Sequence, residues 1–228
     1  MNDLGNSDLS VQTHWEYAAQ TRMGKYLTKI ESNFISKTVD LSKPNQTIMD
    51  VGAEAGRFSL FAANSRANVV SIDLNLYALK RLKLKNKEVN IILSDARHLP
   101  LKNEVFDVVF MVEVLDYIPE LEQALRDCNR TLKPDAPCIL SFGNKSSPKA
   151  KLKAIRGKPY RHSYSEVSKC LSKTGFTVKN KLGYSWLPFG RTSQSKLVTV
   201  LAGLELFLGL RRLVRFSPWV IINVRKQS

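Results

Sequence analysis

Four acidic residues stand at or just after short apolar runs in the first half of the chain. They are Asp50, Asp73, Asp95 and Glu113. In an open sheet of parallel strands, the carboxyl ends of the strands share one edge, and ligands bind there. Carboxylates gathered at that edge attract a cationic ligand and repel a phosphorylated one. The spacing therefore predicts one site for a positively charged molecule.

The turn after the first apolar run reads DVGAEAGR, residues 50–57. Gly52, Ala53 and Gly56 are small enough to let a ligand approach the backbone closely. The dinucleotide fingerprint would need glycine at positions 54 and 57, and no Gly-Lys-Ser/Thr of a P-loop follows. Glu54 would also repel a pyrophosphate at the turn amides. We therefore expect a ligand without phosphate.

The second and third acidic residues suit the two halves of a nucleoside. Asp73 lies 21 residues beyond Gly52, about the separation at which a carboxylate accepts hydrogen bonds from ribose hydroxyls. Asp95 is placed to accept from an exocyclic amine, and the Ala96 amide to donate to a ring nitrogen. Leu74 can lie against the base.

Apolar runs alternate with segments of helical spacing between residues 46 and 144. Strands that are apolar throughout are typical of a parallel sheet covered on both faces. The fold class is therefore α/β and doubly wound. The predicted strands cover 47–51, 68–72, 89–93, 106–112 and 137–142, followed by one that starts at 176 and a final one at 219–225.

Five motifs in register resemble the class I, seven-strand, S-adenosylmethionine-dependent methyltransferases of the type-11 kind. They are DVGAEAGRFS, VVSIDLN, LSDARHLP, FDVVFMVEVLDYIP and RTLKPDAPCILS, within residues 48–142. The resemblance implies a Rossmann-like methyltransferase fold with a mostly parallel seven-stranded sheet, an N-terminal helix and a helical insertion before the last strand. It also implies S-adenosylmethionine as the cofactor.

Roles for the acidic residues follow from the resemblance. Asp50, with the turn glycines, would hold the methionine moiety, Asp73 the ribose, and Asp95 with Ala96 the adenine. The sequence departs from the family at Glu54, where a glycine is usual, and at Asp135-Ala136, where a glycine pair is common.

Methyl transfer needs a general base only if the acceptor must first lose a proton. The candidates are Glu113, Asp116 and His162. Glu113 has an alternative role as a residue that only lines the cofactor pocket, and His98 is the less favoured further base. Cys128, Cys138 and Cys170 lie far apart without a CxxC pair, so neither a zinc site nor any other metal is expected.

We expect a single methyltransferase domain over 1–228. It comprises an N-terminal helical cap (1–45), a cofactor-binding core (46–144) and a basic acceptor-side portion (145–228) with a helix at 195–216. The formal net charge is +15, yet residues 1–144 hold 17 Lys/Arg against 18 Asp/Glu, while residues 145–228 hold 18 Lys/Arg and two acids. This asymmetry indicates an anionic partner near the C-terminal portion.

The acceptor is expected to be small and anionic, or linked to a lipid or glycan. The helix at 195–216 is apolar on nearly every face, and such a helix is buried or lies against protein or lipid. Burial is the commoner case, and contact with an anionic membrane is the alternative. RNA is the second acceptor class, and a catalytically silent cofactor-binding adaptor is the non-enzymatic alternative. The polar, acidic N-terminus lacks the pattern of a signal peptide, so we expect a cytoplasmic protein.

Overall fold

The computed structural model describes residues 9–155 and 160–227. Its centre is a seven-stranded sheet with the strand order β3-β2-β1-β4-β5-β7-β6. Strands β1 to β5 run parallel to one another, whereas β7 is antiparallel to both of its neighbours. The predicted doubly wound, mostly parallel sheet is confirmed. The strands are β1 (Thr47–Val51), β2 (Asn68–Asp73), β3 (Asn90–Leu93), β4 (Val108–Met111), β5 (Pro137–Gly143), β6 (Phe176–Tyr184) and β7 (Trp219–Lys226).

Helices cover both faces of the sheet, because successive side chains of a strand point to opposite faces. In β1, Ile48 belongs to the core under α2, and Met49 belongs to the core under α5 and α7. The helices are α1 (His14–Gln20), α2 (Arg22–Thr38), α3 (Arg57–Ala63), α4 (Leu76–Lys85), α5 (Leu121–Thr131), α6 (Pro148–Ile155), α7 (Tyr164–Lys173) and α8 (Leu197–Phe207).

The N-terminal helical segment is two helices instead of one continuous helix. Thr21 has an extended backbone between α1 and α2, and its side chain accepts a hydrogen bond from the Gly24 amide, which caps α2. A Cβ at Gly24 would lie 1.8 Å from the carbonyl oxygen of Ala18. The two helices can therefore meet this closely only with glycine at that position. Residues 1–8 of the predicted cap lie outside the described part of the chain.

The C-terminal third differs most from expectation. The basic stretch 145–162 contains α6, and its residues 156–159 lie outside the described chain. The helix predicted over 195–216 begins at Leu197 and ends at Phe207, because Gly209 takes a left-handed backbone (φ 64°) and starts a short 3₁₀ turn at 210–212. The preferred prediction that this helix is buried was also wrong, because most of its apolar side chains are exposed to solvent. Within the described residues, no helix combines the length and apolar character needed to cross a bilayer.

Candidate active site

A cavity of about 980 Å³ opens at the carboxyl edge of β1, β2 and β4. Residues of α1 cover part of it, and Arg191 reaches it from the segment between β6 and α8. The lining contains eight residues predicted to bind the cofactor: Asp50, Gly52, Ala53, Asp73, Leu74, Asp95, Ala96 and Glu113. Residues from four strand ends therefore meet in one place, as the strand-end pattern predicted.

Asp50 is buried at the end of β1, where Ser59 of α3 donates a hydrogen bond to its carboxylate (2.6 Å). Ser71 of β2 in turn donates to Ser59 (2.7 Å). Burial raises the pKa of Asp50 to about 6, although the Ser59 hydrogen bond and the charge of Arg57 lower it. A buried carboxylate with this pKa is costly to keep ionised, and a cationic ligand would offset that cost.

The turn after β1 is fixed by its own backbone. The amides of Gly52 and Ala53 both donate to the carbonyl of Ile72 (2.8 and 3.0 Å), which ties the turn to β2. Gly52 has φ 72°, and a Cβ there would lie 2.3 Å from Val114 Cγ2. Only glycine fits this position without displacing Val114.

Glu54 occupies a left-handed backbone position (φ 50°), which glycine would adopt without strain. Its amide donates to Asp73 Oδ2 (2.8 Å), and its carboxylate accepts from the Ala55 amide. The side chain therefore folds back on its own turn. Gly56 also has a positive φ (92°), but it does not line the cavity. A Cβ there would lie 2.2 Å from Leu82 Cδ1, so Gly56 allows α3 and α4 to pack closely.

Asp73 and Asp95 lie at the β2 and β3 side of the cavity. The carboxylate of Asp73 accepts from the amides of Glu54 and Asn75, each at 2.8 Å, which fixes its orientation. Arg97 pairs with both carboxylate oxygens of Asp95, and these hydrogen bonds lower the pKa of Asp95. Leu74 projects beside them and is 70% exposed. Both carboxylates are thus oriented as hydrogen-bond acceptors.

Glu113 belongs to a buried charge cluster at the β4 side of the cavity. Its carboxylate pairs with Arg57 (2.9 Å) and with Arg191. The other guanidinium nitrogen of Arg57 lies 2.8 Å from Glu31 of α2, which also accepts from the Tyr184 hydroxyl (2.6 Å). Glu113 itself has φ 62°, and its amide donates to Ser141 (2.9 Å).

The pKa values of the two carboxyl groups in this cluster are shifted in opposite directions. Burial and the charge of Glu113 raise the pKa of Glu31 above its ordinary value. Burial opposes ionisation of Glu113 as well, but Arg191 and Arg57 outweigh it and lower the pKa of Glu113. Two guanidinium groups and two carboxyl groups therefore share one buried cluster beside the cavity.

The N-terminal segment is tied down over the cavity. Glu16 of α1 pairs with Arg81 (2.5 Å) and Lys85 (2.6 Å) of α4. Partial burial works against ionisation, but these two partners lower the pKa of Glu16 to about 2. Beside it, the ring of Trp15 meets that of Tyr117 edge to face, with centroids 6.4 Å apart. The Arg191 guanidinium lies 5.1 Å from the Trp15 ring centre and 5.5 Å from that of Trp219.

Comparison with known proteins adds the family to this geometry. Residues 49–140 match the type-11 family model, which describes a methyltransferase domain. The chain belongs to the class I, S-adenosylmethionine-dependent methyltransferases. This methyltransferase is similar to the ubiquinone biosynthesis O-methyltransferase of Psychrobacter arcticus, with 29% identity over 67% of this chain and 67% of that protein.

A second relative and one solved structure extend the comparison. The 24-methylenesterol C-methyltransferase 2 of Arabidopsis thaliana is 28% identical over 60% of this chain, which spans 43% of that longer protein. A crystal structure of an S-adenosylmethionine-dependent methyltransferase from Mesorhizobium loti superposes with a TM-score of 0.64. The match covers 85% of this chain and 96% of the other at 14% identity, which shows the shared fold.

The cavity of the methyltransferase fits its cofactor in size and charge. A volume of about 980 Å³ lies at the upper end of the range for small-molecule sites, so it can hold cofactor and acceptor together. Val114 packs directly against Gly52, and both residues line the cavity. Carboxylates at three strand ends suit the positive sulfonium and ammonium groups of S-adenosylmethionine.

Asp116 and His162, predicted as catalytic candidates, lie outside the cavity lining. The carboxylate of Asp116 accepts from the amides of Gly143 (2.8 Å) and Arg161 (3.3 Å). The ring of His162 lies 3.1 Å from the carbonyl oxygen of Leu115, and burial lowers the pKa of His162. Both side chains connect the loop after β4 to the segment that precedes α7.

Sequence reasoning assigned no role to Glu31, Arg57 or Arg191. A signal was present for Glu31, because it shares the helix face of Leu27, Ile30 and Phe34, which are buried. A carboxyl on an apolar helix face needs a buried partner. Arg191 lies in an irregular segment, and nothing in the local sequence marks it. Among the described residues, no group of three His, Cys, Asp or Glu side chains could hold a metal ion.

Proposed function

We propose that the enzyme methylates a small acceptor that carries an apolar part and a negatively charged or lipid- or glycan-linked part. The observation that carries this proposal is the uneven lining of the cavity. The carboxylates of Asp73 and Asp95 lie on the β2 and β3 side, whereas Trp15, Tyr117 and Arg191 lie on the β4 side. A cationic nucleoside and an anionic or aromatic acceptor would therefore take opposite halves.

On the cofactor side, each predicted residue has a distinct task. Asp73 would accept from the ribose hydroxyls, and Asp95 with the Ala96 amide would read the adenine edge. Asp50 would face the ammonium group of the methionine part. S-adenosylmethionine, when bound, supplies an electrophilic methyl group on a positively charged sulfur. The protein then contributes chiefly by alignment and by excluding water, which together are worth several kcal/mol.

On the acceptor side, the guanidinium group of Arg191, which lines the cavity, would bind a negative group. Trp15 and Tyr117 would hold an apolar ring or chain against it. Two relatives carry names that refer to ubiquinone and to a sterol, both of which are apolar molecules. These names support an acceptor with a large apolar portion.

An acceptor hydroxyl would also need a group to take its proton. Glu113 is a weak proton acceptor because two guanidinium groups hold its pKa low. Asp116 and His162 do not line the cavity. His14, at the first position of α1, does line it and is exposed. We propose His14 as the proton acceptor whenever the acceptor must be deprotonated.

Transfer of labelled methyl groups tests the acceptor class. The enzyme is incubated with S-adenosylmethionine labelled in the methyl group and with cell extract, which is then separated into organic, small-molecule, RNA and protein fractions. We expect label in the organic fraction or in anionic small molecules, and none with the Asp73→Ala variant. Label in RNA would identify the RNA alternative. Tight cofactor binding without any transfer would identify the adaptor alternative.

A further inference from the structure

Helix α8 presents an apolar face to solvent. Phe207 is 86% exposed, Val200 68% and Leu206 63%, and Leu197, Leu208 and Phe216 are each more than half exposed. We call these six side chains the α8 face. Six large exposed apolar side chains on one helix and the segment after it exceed the single scattered ones of an ordinary surface, and such a concentration indicates a site of interaction with protein or membrane.

The inner side of the helix is fixed, so the orientation of the α8 face is built in. Glu205, which is buried, accepts hydrogen bonds from the Tyr26 hydroxyl (2.5 Å) and the Trp186 amide (3.2 Å), and it pairs with Arg211 (3.0 Å). Val198 is buried in the core formed with α2. The helix thus turns its carboxylate inward and its leucines and phenylalanine outward, the reverse of an ordinary surface helix.

Positive charge borders the α8 face without opposing acids. Lys196 precedes the helix, and Arg212 and Arg215 follow it; all three are exposed. None of the three forms an ion pair with a carboxylate of the described chain. Between residues 167 and 228, the sequence contains only one acid, the buried Glu205. The uncompensated charge therefore lies beside the exposed apolar side chains.

We propose that the α8 face docks on the surface of an anionic lipid bilayer. Apolar side chains would enter the boundary between headgroups and acyl chains, and Lys196, Arg212 and Arg215 would meet the negative headgroups. A second copy of the chain fits less well, because a twofold contact would bring these cations near their own copies with no acid to offset them.

The segment that contains α8 is attached at the cavity edge of the sheet. The segment that holds α8 leaves the sheet at Tyr184 and returns at Trp219, and these two residues are paired in the sheet. Both lie at the edge where the carboxyl ends of β4 and β5 point. Docking does not require the methyl acceptor to be a lipid, so it stands apart from the proposed function.

Vesicle sedimentation with the full chain tests the proposal. One set of vesicles contains phosphatidylcholine alone, and the other contains phosphatidylcholine mixed with phosphatidylglycerol. We expect the protein to bind the mixed vesicles. Each basic residue near an anionic surface adds about 1 kcal/mol, so the double variant Arg212→Gln, Arg215→Gln should bind about thirtyfold more weakly. Removing the apolar ring with Phe207→Ser should weaken binding by about tenfold or more.

Matched variants elsewhere on the surface serve as controls. Leu84 of α4 is 64% exposed, so Leu84→Ser removes a comparable apolar side chain away from α8. Lys80→Gln with Lys102→Gln removes two exposed charges away from α8. These variants should bind vesicles like the original protein. All variants should keep the original melting temperature and affinity for S-adenosylmethionine, which separates docking from folding and from the cofactor site.

Three outcomes would overturn docking. The protein would fail to bind either kind of vesicle, or the Leu84 and lysine controls would lose as much affinity as the α8 variants. Alternatively, analytical ultracentrifugation would reveal a dimer that Phe207→Ser dissociates, which would assign the α8 face to a second copy. Methyl transfer to a soluble acceptor by a variant that no longer binds vesicles would leave the proposed function intact.

Discussion

Replacement of the buried Asp50 by asparagine should stabilise the protein without ligand while weakening its cofactor binding. Burial raises the pKa of Asp50 from its ordinary 3.8 to about 6. That difference corresponds to about 3 kcal/mol between the two protonation states. The amide introduced by Asp50→Asn would keep an oxygen to accept from Ser59 and would carry no charge, so the variant avoids the cost.

The sign of the effect follows from proton binding. Between pH 3.8 and about 6, the folded chain retains a proton on Asp50 that the unfolded chain has released. The contribution of Asp50 to the free energy of unfolding therefore falls as pH rises through this window. The gain in free energy of unfolding from Asp50→Asn should be near zero below pH 3.8. Above about pH 6 it should reach about 3 kcal/mol, or roughly 6–12 °C in melting temperature.

Urea unfolding at several pH values, with calorimetric titration of S-adenosylmethionine, measures both halves of this prediction. Loss of a charged hydrogen bond should weaken cofactor binding about ten- to a hundredfold at neutral pH. Affinity of the original protein should fall as Asp50 becomes protonated, and the variant should lack that pH dependence. Asp107→Asn is a control for which the change in stability should have the opposite sign. Despite partial burial, Lys133 and the Thr47 amide lower the pKa of Asp107, so its carboxylate stabilises the fold. A stability difference for Asp50→Asn that is negative, or constant with pH, would refute the reasoning.

Three further substitutions test the turn, the cover and the proposed base. Gly52→Ala would place a Cβ 2.3 Å from Val114 Cγ2 at a positive φ, and should cost at least about 1–3 kcal/mol of unfolding free energy in denaturation; unchanged stability would contradict the close packing. Glu16→Gln removes the charge that pairs α1 with α4, so stopped-flow measurements should show faster cofactor release, and an unchanged rate would show that the cover does not retain the cofactor. His14→Ala should lower kcat for a hydroxyl acceptor about a hundredfold at unchanged cofactor affinity. His98→Ala, which alters an imidazole outside the cavity, is its control, and equal activity of both variants would exclude His14 as the base.

The parallel part of the sheet and the gathering of acids at its carboxyl edge could be predicted from local sequence. Each of β1 to β5 is a short apolar run, and the acids at or just after the ends of β1 to β4 mark the edge where ligands bind. Asp50, Asp73 and Asp95 meet in one cavity for that reason. The turn after β1 could also be predicted, because it needs a positive φ, which Gly52 adopts without strain.

The charge cluster around Glu31 and Glu113 and the antiparallel end of the sheet depend on contacts distant in sequence. Glu31 and Tyr184 are hydrogen bonded although 153 positions separate them, and Arg191 meets Glu113 across 78 positions. The place of β7 between β5 and β6 also follows from pairing of distant segments. Helix α8 was misjudged because its composition resembles that of a buried helix, whereas only its contacts with Tyr26 and Trp186 show which side faces inward.

The pairing of Tyr184 with Trp219 makes the segment between them a self-contained excursion from the sheet. The chain between them leaves and rejoins the sheet at neighbouring positions, so a replacement of different length would need only to close the same short gap. Loop-closure entropy rises slowly with length, and β1 to β4, which carry the strand-end carboxylates, would not have to move. Grafting this excursion between related enzymes would therefore test whether the segment sets the proposed acceptor preference while the strand-end carboxylates stay in place.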